Sequence, residues 1–514
     1  MPGARSRQGC DECRKRRRKC DEEKPRCGQC SAFNRTCEYS LRVVWQHSRK
    51  NSGIRSRHLP SGGRRLIRQG ACAKADENAP TLAQGAKWLP QCLPNGIQLS
   101  PRYQQLLTHF TQDILASLSC HPSIHHDLGQ GLIPSALESP QLMSACLALS
   151  AAGYLSRGVM QIDGVEVVKV LGHLQSSGLG LLRSALATTD DAHSGMGETL
   201  LATCLIWCLA DVFTYRRFDG TLSSSWRIHL QGIRALLDRD GAYHRQFTTG
   251  TGTSRQIAMK HLYQLYLSLQ TLPYVVSGSE ASVSETPPLI DQAEPNGSPA
   301  IDGFLGYSDE LLDIMHKIDQ LSRAPSAFEA DVLLGKVQAM IARDSIAAPP
   351  INLTTSSSSL IHSHPRIERS PLSSEHARQE FTLCHQIFQQ ATLTQLRRRL
   401  YHLPSQSPEI QNPVCSMQRM LNSLHTSDGG ESMWVAMAMP VFTLGCEAFT
   451  PAQQAFVLDK VDRLEACIRS FHVRTIRQAL VDIWAIRKDM GDENQGLVCA
   501  GRLLERLDYD IILF

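Results

Sequence analysis

The sequence predicts a mainly α protein. A small N-terminal module built around two metal ions precedes a large all-helical domain with disordered linkers. Three observations carry this reading. Six cysteines crowd into the first forty residues, while eleven others are scattered over the rest of the 514. Basic residues concentrate at the N-terminus. Beyond about residue 99, apolar residues recur at helical spacing, and no stretch shows the strict alternation of a half-buried strand.

The six cysteines are Cys10, Cys13, Cys20, Cys27, Cys30 and Cys37. The unit C-x2-C-x6-C occurs twice, offset by seventeen residues. Cysteines two residues apart can close on one ion as thiolates, and zinc prefers four such ligands in a tetrahedron with Zn–S of about 2.3 Å. One zinc would strand two of the six sulfurs. Two separate zincs would need eight. Six thiolates satisfy two zincs only if two sulfurs bridge both ions. The competing reading is a redox or disulfide framework. No secretory signal or transmembrane run is visible, so a reducing compartment and metal-bound thiolates are expected instead.

Between two of these ligands lies an unbroken basic run, Arg14, Lys15, Arg16, Arg17, Arg18 and Lys19. The equivalent stretch of the second half, Ser31 to Thr36, holds only Arg35. The module is therefore symmetric in its ligands and asymmetric in charge. Residues 1–68 carry nineteen Lys/Arg against six Asp/Glu, a net +13; the remainder carries 34 against 43, a net −9. The overall +4 hides this division. A cationic end on an acidic chain is the footprint of a polyanion partner. A nuclear-import signal is compatible with the same strip. A purely solvated face is disfavoured, because a like-charged block repels itself unless something neutralises it.

The motif CDECRKRRRKC, a short loop with Lys24 and Pro25, then CGQCSAFNRTC resembles the fungal zinc binuclear cluster family of transcription regulators. The resemblance implies that Cys10 and Cys27 are the bridging thiolates, and that the site is closed to catalysis. It implies that the first half forms a short helix whose C-terminal end enters the DNA major groove and reads a CGG triplet. By motif alignment Arg17 falls where the family usually places a base-reading lysine. Arginine can still bond guanine O6 and N7 in bidentate fashion. Arg14, Arg16, Arg18 and Lys19 are assigned to phosphates, which position a module without specifying sequence. For Pro25 a structural turn role is sufficient.

The expected organisation is the cluster at 1–40, a basic then flexible linker at 41–98, and a helical domain at 99–514. Insertions near 277–300 and 347–374 read as disordered and divide the helical region into lobes near 99–276, 301–345 and 375–514. No sustained apolar heptad lies between Leu41 and Pro101, so a homodimer, if it forms, has no evident coiled coil to hold it. Helices are expected at His109–Ser119, Met143–Tyr154, Thr199–Phe213, Asp309–Leu321, Phe381–Leu403, Phe456–Phe471 and Thr475–Lys488. Thr199–Phe213 is too short to span a bilayer and reads as a buried helix.

Four phrases in this region, Glu198–Thr203, Trp226–Leu237, Met439–Ala448 and Ala479–Arg487, resemble in order and separation the fungal-specific transcription factor domain. That family implies an all-helical regulatory domain without catalytic chemistry. The tempting sites here have simpler explanations. Trp226 and His229 share a helix face and suit packing. Glu447 suits a satisfied core carboxylate, with an effector pocket as the alternative, and Cys446 suits a small buried hydrophobe. His121, His125 and His126 read as a Pro- and Gly-containing connection without cysteines to complete a metal site. The Leu507–Phe514 tail reads as docked, with an acidic-hydrophobic activation segment as the alternative.

Together these observations predict a nuclear, zinc-dependent transcription regulator. Its partners are double-stranded DNA and the transcription machinery or co-regulators, and no membrane. A metallothionein-like buffer would spread its cysteines more densely. An enzyme would show a nucleophile or phosphate loop, and no Walker-type loop, G-x-S-x-G or H-E-x-x-H is present. A co-regulator with weak DNA binding is the remaining alternative.

Overall fold

The computed structural model describes residues 11–16, 18, 20–21, 26–33, 35, 37, 99–187, 194–214, 225–239, 253–271, 300–352, 375–424, 432–490, 498–507, 509 and 511–513. The chain divides into two compact units, Met1–Leu82 and Ala83–Phe514. The expected linker at 41–98 lies outside the described residues, as do 277–299 and 353–374 of the expected insertions.

The first unit contains two five-residue helices, α1 (Asp11–Lys15) and α2 (Gly28–Ala32), offset by the same seventeen residues as the cysteine repeat. The second unit is helical throughout, apart from two short ladders. It begins with α3, in which Pro101–His109, a π turn Phe110–Ile114 and Leu115–Ser117 run on from one another. Next come α4 (Pro122–Glu138), α5 (Pro140–Ser156), α6 (Val167–Ala187), α7 (Ser194–Thr214), α8 (Ser225–Arg239) and α9 (Ser254–Thr271). Then follow α10 (Asp309–Arg323), α11 (Ala327–Ile346), α12 (Glu375–Arg399) and α13 (Pro408–Ser423). The unit ends with α14 (Ala438–Cys446), α15 (Pro451–Ile468), α16 (Phe471–Asp489) and α17 (Ala500–Arg506).

Many of these helices start on one device. A Ser, Thr or His side chain caps the first turn and a proline occupies its first position: Ser100-Pro101, His121-Pro122, Ser139-Pro140 and Thr450-Pro451. The capping oxygen or nitrogen accepts an orphan backbone N–H, and proline has no N–H to leave unpaired there. Thr450 and Gln453 complete a reciprocal capping box.

Two helices are buried on nearly every side. α5 is rich in Ala, Ser and Gly, and its small residues let α3, α6 and α7 approach closely. A Cβ on Gly178 of α6 would sit 2.6 Å from Trp207, so only glycine fits between α7 and α5 there. α12 plays the same part among α10, α11, α13 and α14. One hydrophobic core runs from Leu99 to Leu513, so the expected three lobes are a single packed body. The apolar window Gly197–Thr214 is long enough to cross a membrane, yet 78% of it is buried inside the fold.

Several expectations are corrected. His121, His125 and His126 do not lie in a connection. His121 caps α4 and the other two sit in its first turns, and the helix continues through Pro134. Residues 347–352 are ordered: Ile351–Asn352 pairs in parallel with Ile301–Asp302. A second ladder joins Gln161–Ile162 to Val165–Glu166. Both ladders are two residues long, too short to leave an alternating pattern. The His109–Ser119 helix starts earlier, at Pro101, and contains the π turn. α12 ends at Arg399 and α15 at Ile468, each a few residues short of expectation, the latter because Arg469 is left-handed. The C-terminal tail is docked. Tyr509, Ile511, Ile512 and Leu513 are buried, and the Tyr509 hydroxyl donates to Asp482 Oδ2 at 2.6 Å.

Two outcomes follow for stability. Ile511→Ala, at a fully buried position, should lower the unfolding free energy by about 2–5 kcal/mol in a denaturant titration. Burial, aided by Arg157 and opposed by Asp113, pushes the His109 pKa down to about 4. The unfolded imidazole titrates near 6.5, so the unfolded chain holds more protons between those values. The His109 contribution should be complete above about pH 6.5 and be lost as pH falls through about 4. Melting curves over this range, compared with His109→Gln, would show no such loss attributable to this site if the imidazole were exposed.

Candidate metal centre and nucleic-acid interface

Among the described residues of the first unit, the buried core consists of sulfur. Cys13, Cys20, Cys27 and Cys30 are buried, with Cys37 packed against them. Two groups of thiols have all their Sγ atoms within 4.8 Å of one another: Cys13, Cys20 and Cys27, and Cys27, Cys30 and Cys37. Cys27 belongs to both. Each group is one ligand short of a tetrahedron, and Cys10 lies outside the described residues.

The geometry suits zinc. A tetrahedron with Zn–S arms of about 2.3 Å has S···S edges of about 3.8 Å. The Sγ atoms of Cys13 and Cys27 lie 3.7 Å apart. The backbone holds the sulfurs in place. Cys27 caps α2, its Sγ accepting the Cys30 N–H at 3.3 Å. Its own N–H donates to Cys37 Sγ at 3.2 Å. Asp21 Oδ2 accepts the Gly28 N–H at 2.8 Å and so ties the inter-half connection to α2. A Cβ on Gly28 would lie 2.6 Å from that oxygen, so a larger residue there would displace the Asp21 carboxylate.

The sequence repeat is a structural repeat. Arg18 N–H donates to Cys13 O, and Arg35 N–H donates to Cys30 O, both at 2.9 Å and both seventeen residues apart. Charge breaks this symmetry. Lys15, Arg16 and Arg18 are exposed on the first half. The second half presents Gln29, Ser31, Ala32 and Phe33, with the Arg35 guanidinium 5.0 Å over the Phe33 ring. Arg17, Lys19 and the Arg14 side chain lie outside the described residues. Glu12 escaped the sequence reading. Its carboxylate pairs with Arg16 Nε at 2.6 Å, an i,i+4 contact legible in the sequence once α1 is drawn.

A model of the fungal Zn(2)-Cys(6) binuclear cluster domain matches residues 8–46, and one of the fungal specific transcription factor domain matches residues 105–513. The chain belongs to the fungal-specific transcription factor family. Its metal is zinc, which the thiol geometry above accommodates. A lysine biosynthesis regulatory protein of Saccharomyces cerevisiae is 61% identical over 36 residues, covering 7% of this chain and 5% of that protein. A transcription activator of Alternaria alternata is 48% identical over 48 residues, covering 9% and 6%. The chain thus spans only about a twentieth of the length of these curated relatives. No solved structure matches.

Within the family's helical domain two of the four resembling phrases, Met439–Ala448 and Ala479–Arg487, are in contact. Asp211 of α7 lies 3.2 Å from His229 of α8 and links these two helices, and Trp226 of α8 is buried. Trp484 Nε1 donates to Gly445 O at 2.8 Å, and Arg487 donates to Cys446 O. Glu447 is a buried carboxylate paired with Arg398 Nε at 3.0 Å. Burial pushes the Cys446 thiol well above its ordinary range, which makes it an inert core residue. His121 accepts the Ser123 N–H, and His125 bonds Thr111 O at 2.7 Å, so these imidazoles serve the α3–α4 junction.

Asp21→Ala removes the carboxylate that steadies α2 behind the thiolates. Outer contacts of this kind are worth about 10–100-fold in metal affinity. Chelator competition should show zinc held at least about ten-fold more weakly, with the stoichiometry at saturation unchanged from the parent chain.

Proposed function

We propose that this chain is a zinc-dependent, sequence-specific DNA-binding regulator of RNA polymerase II genes. It acts in the nucleus, and its cluster reads a CGG-like triplet in the major groove. The single observation that carries the reading is Cys27, common to both thiol groups, in a module whose unbroken basic run lies in the first half, where Lys15, Arg16 and Arg18 are exposed. The cluster holds two zinc ions. Cys10, Cys13, Cys20 and Cys27 ligate one, and Cys10, Cys27, Cys30 and Cys37 the other. The Cys10 and Cys27 thiolates are shared.

The exposed side chains of the first half then do the binding. Lys15, Arg16 and Arg18, with Arg14 and Lys19, neutralise phosphates and set the register of α1 on the duplex. Arg16 reaches DNA by exchanging Glu12 for phosphate, an exchange of one ion pair for another at an exposed site. Arg17, by its place in the family motif, takes the guanine edge. The helical domain regulates this activity and contacts the transcription machinery or co-regulators. Biosynthetic or nutrient-pathway genes are the proposed targets, a class that includes the pathway named for the yeast relative. Genomic occupancy of the tagged protein tests that assignment.

Two experiments test the site. Native mass spectrometry of the chain should show two zincs; Cys27→Ala should lose both, whereas Cys37→Ala should weaken one. Loss of a single ion from Cys27→Ala would exclude sharing. Competition binding against a randomised triplet library tests the reader. Arg17→Ala should cost about 1–3 kcal/mol on the preferred site and relax discrimination at one guanine. Arg18→Ala should weaken specific and random DNA about equally and reduce the salt slope by about 0.9. Retention of full base preference by Arg17→Ala would reassign the reader. Weak binding to every triplet would favour the co-regulator reading.

A further inference from the structure

One of the exposed cations of the first half already has an anionic partner. Arg16 Nε donates to Glu12 Oε1 at 2.6 Å, and the Arg16 backbone N–H donates to Glu12 O at 3.1 Å. Among the described residues, Lys15 and Arg18 pair with no carboxylate. The Arg16 side chain is 50% exposed and that of Glu12 23%, so the guanidinium is the outer member of the pair. The contact uses Nε; the two terminal nitrogens of Arg16 have no partner among the described residues.

Such a pair can act in two ways. The first is structural, since an acid one turn before a base supports a helix. The second is electrostatic. A carboxylate against Arg16 cancels one of the charges that draw a polyanion. A phosphate arriving at Arg16 must displace Glu12 or settle beside a second negative charge, and either course is unfavourable on any sequence. The two roles predict opposite signs. Neutralising a support weakens DNA binding, whereas neutralising a competitor tightens it. α1 has other anchors. Cys13 is buried among the thiols, and Arg18 N–H donates to Cys13 O just beyond the helix end. An exposed ion pair adds little to a helix held in this way.

We infer, on the reading of Arg16 as a phosphate contact, that Glu12 is a built-in competitor for phosphate at Arg16. It holds the affinity of the basic run for DNA of any sequence below what the charges of that run would give. Phosphate contacts are blind to sequence, so relieving the competition strengthens binding to preferred and random DNA alike and leaves the triplet preference as it was.

Fluorescence anisotropy of the full zinc-loaded chain tests this, with one duplex that carries a CGG triplet and one of equal length that lacks it. Glu12→Gln keeps the shape and an acceptor oxygen and removes the charge. It should tighten binding to both duplexes by about two- to five-fold at about 0.1 M salt, the range of an exposed ion pair. The gain should shrink as salt rises and screens the carboxylate. In an Arg16→Gln background the same substitution should gain less than about two-fold, because the competed site is gone. Weaker binding by Glu12→Gln, with or without loss of zinc, would make Glu12 a structural support and overturn the inference. Unchanged affinity, or a gain of equal size without Arg16, would overturn it as well. Unchanged affinity in Arg16→Gln alone would remove the phosphate contact, and a parent chain that binds neither duplex would remove the DNA reading itself; the competitor role falls with either.

Discussion

The N-terminal module depends on a shortage of ligands. Under the proposed two-zinc cluster, eight ligand positions fall to six thiolates, so two sulfurs would be shared. Cys27 is the thiol common to both groups, and its backbone and side chain also start α2 and anchor Cys37. Among the described residues the module has no apolar core beyond these sulfurs. On the proposed cluster, metal binding and folding would be one event, as in other small metal-built domains, and shared thiolates would draw the two halves onto one centre.

A symmetric scaffold with one-sided charge is a way of aiming. The two halves repeat their helices and backbone hydrogen bonds at an offset of seventeen residues. Only the first carries the basic run, so the same geometry that serves α2 as support presents α1 to a polyanion. Glu12 holds Arg16 on that surface by an i,i+4 ion pair. In the helical unit, by contrast, buried charges are paired inward. Arg398 with Glu447 and Arg487 with Cys446 O tie the C-terminal helices together and explain those residues as architecture.

How much was legible in the sequence varies with the range of the interaction. The cysteine spacing picked out thiols that the fold gathers, Cys13, Cys20, Cys27, Cys30 and Cys37, because ligand spacing is local. Amphipathic helices such as α10 declared themselves through Leu311, Ile314, Met315, Ile318 and Leu321. α4 was missed because Gly129, Gly131 and Pro134 read as breakers. In the fold Gly131 is there for closeness, since a Cβ would lie 2.3 Å from Ala258. α6 was hidden in the same way by Gly172, Gly178 and Gly180. The Ser-Pro and Thr-Pro starts were the available signal, and they were not used. The pairing of Ile301–Asp302 with Ile351–Asn352 joins segments about fifty residues apart and leaves no local trace. The family phrases were recognisable as words before their physical meaning was; Met439–Ala448 and Ala479–Arg487 are the two sides of one helix contact. At the metal site Glu12 and Asp21 were missed because their roles appear only once α1 and α2 exist.

The central claim, that two zincs share thiolates, is tested most directly by zinc X-ray absorption on the chain loaded with two ions. Sharing predicts four sulfurs around each zinc at about 2.3 Å, although only six cysteines serve both. Six unshared sulfurs would give an average of about three per zinc, with the fourth position filled by oxygen or nitrogen at about 2.0–2.1 Å. That mixed shell would contradict the account.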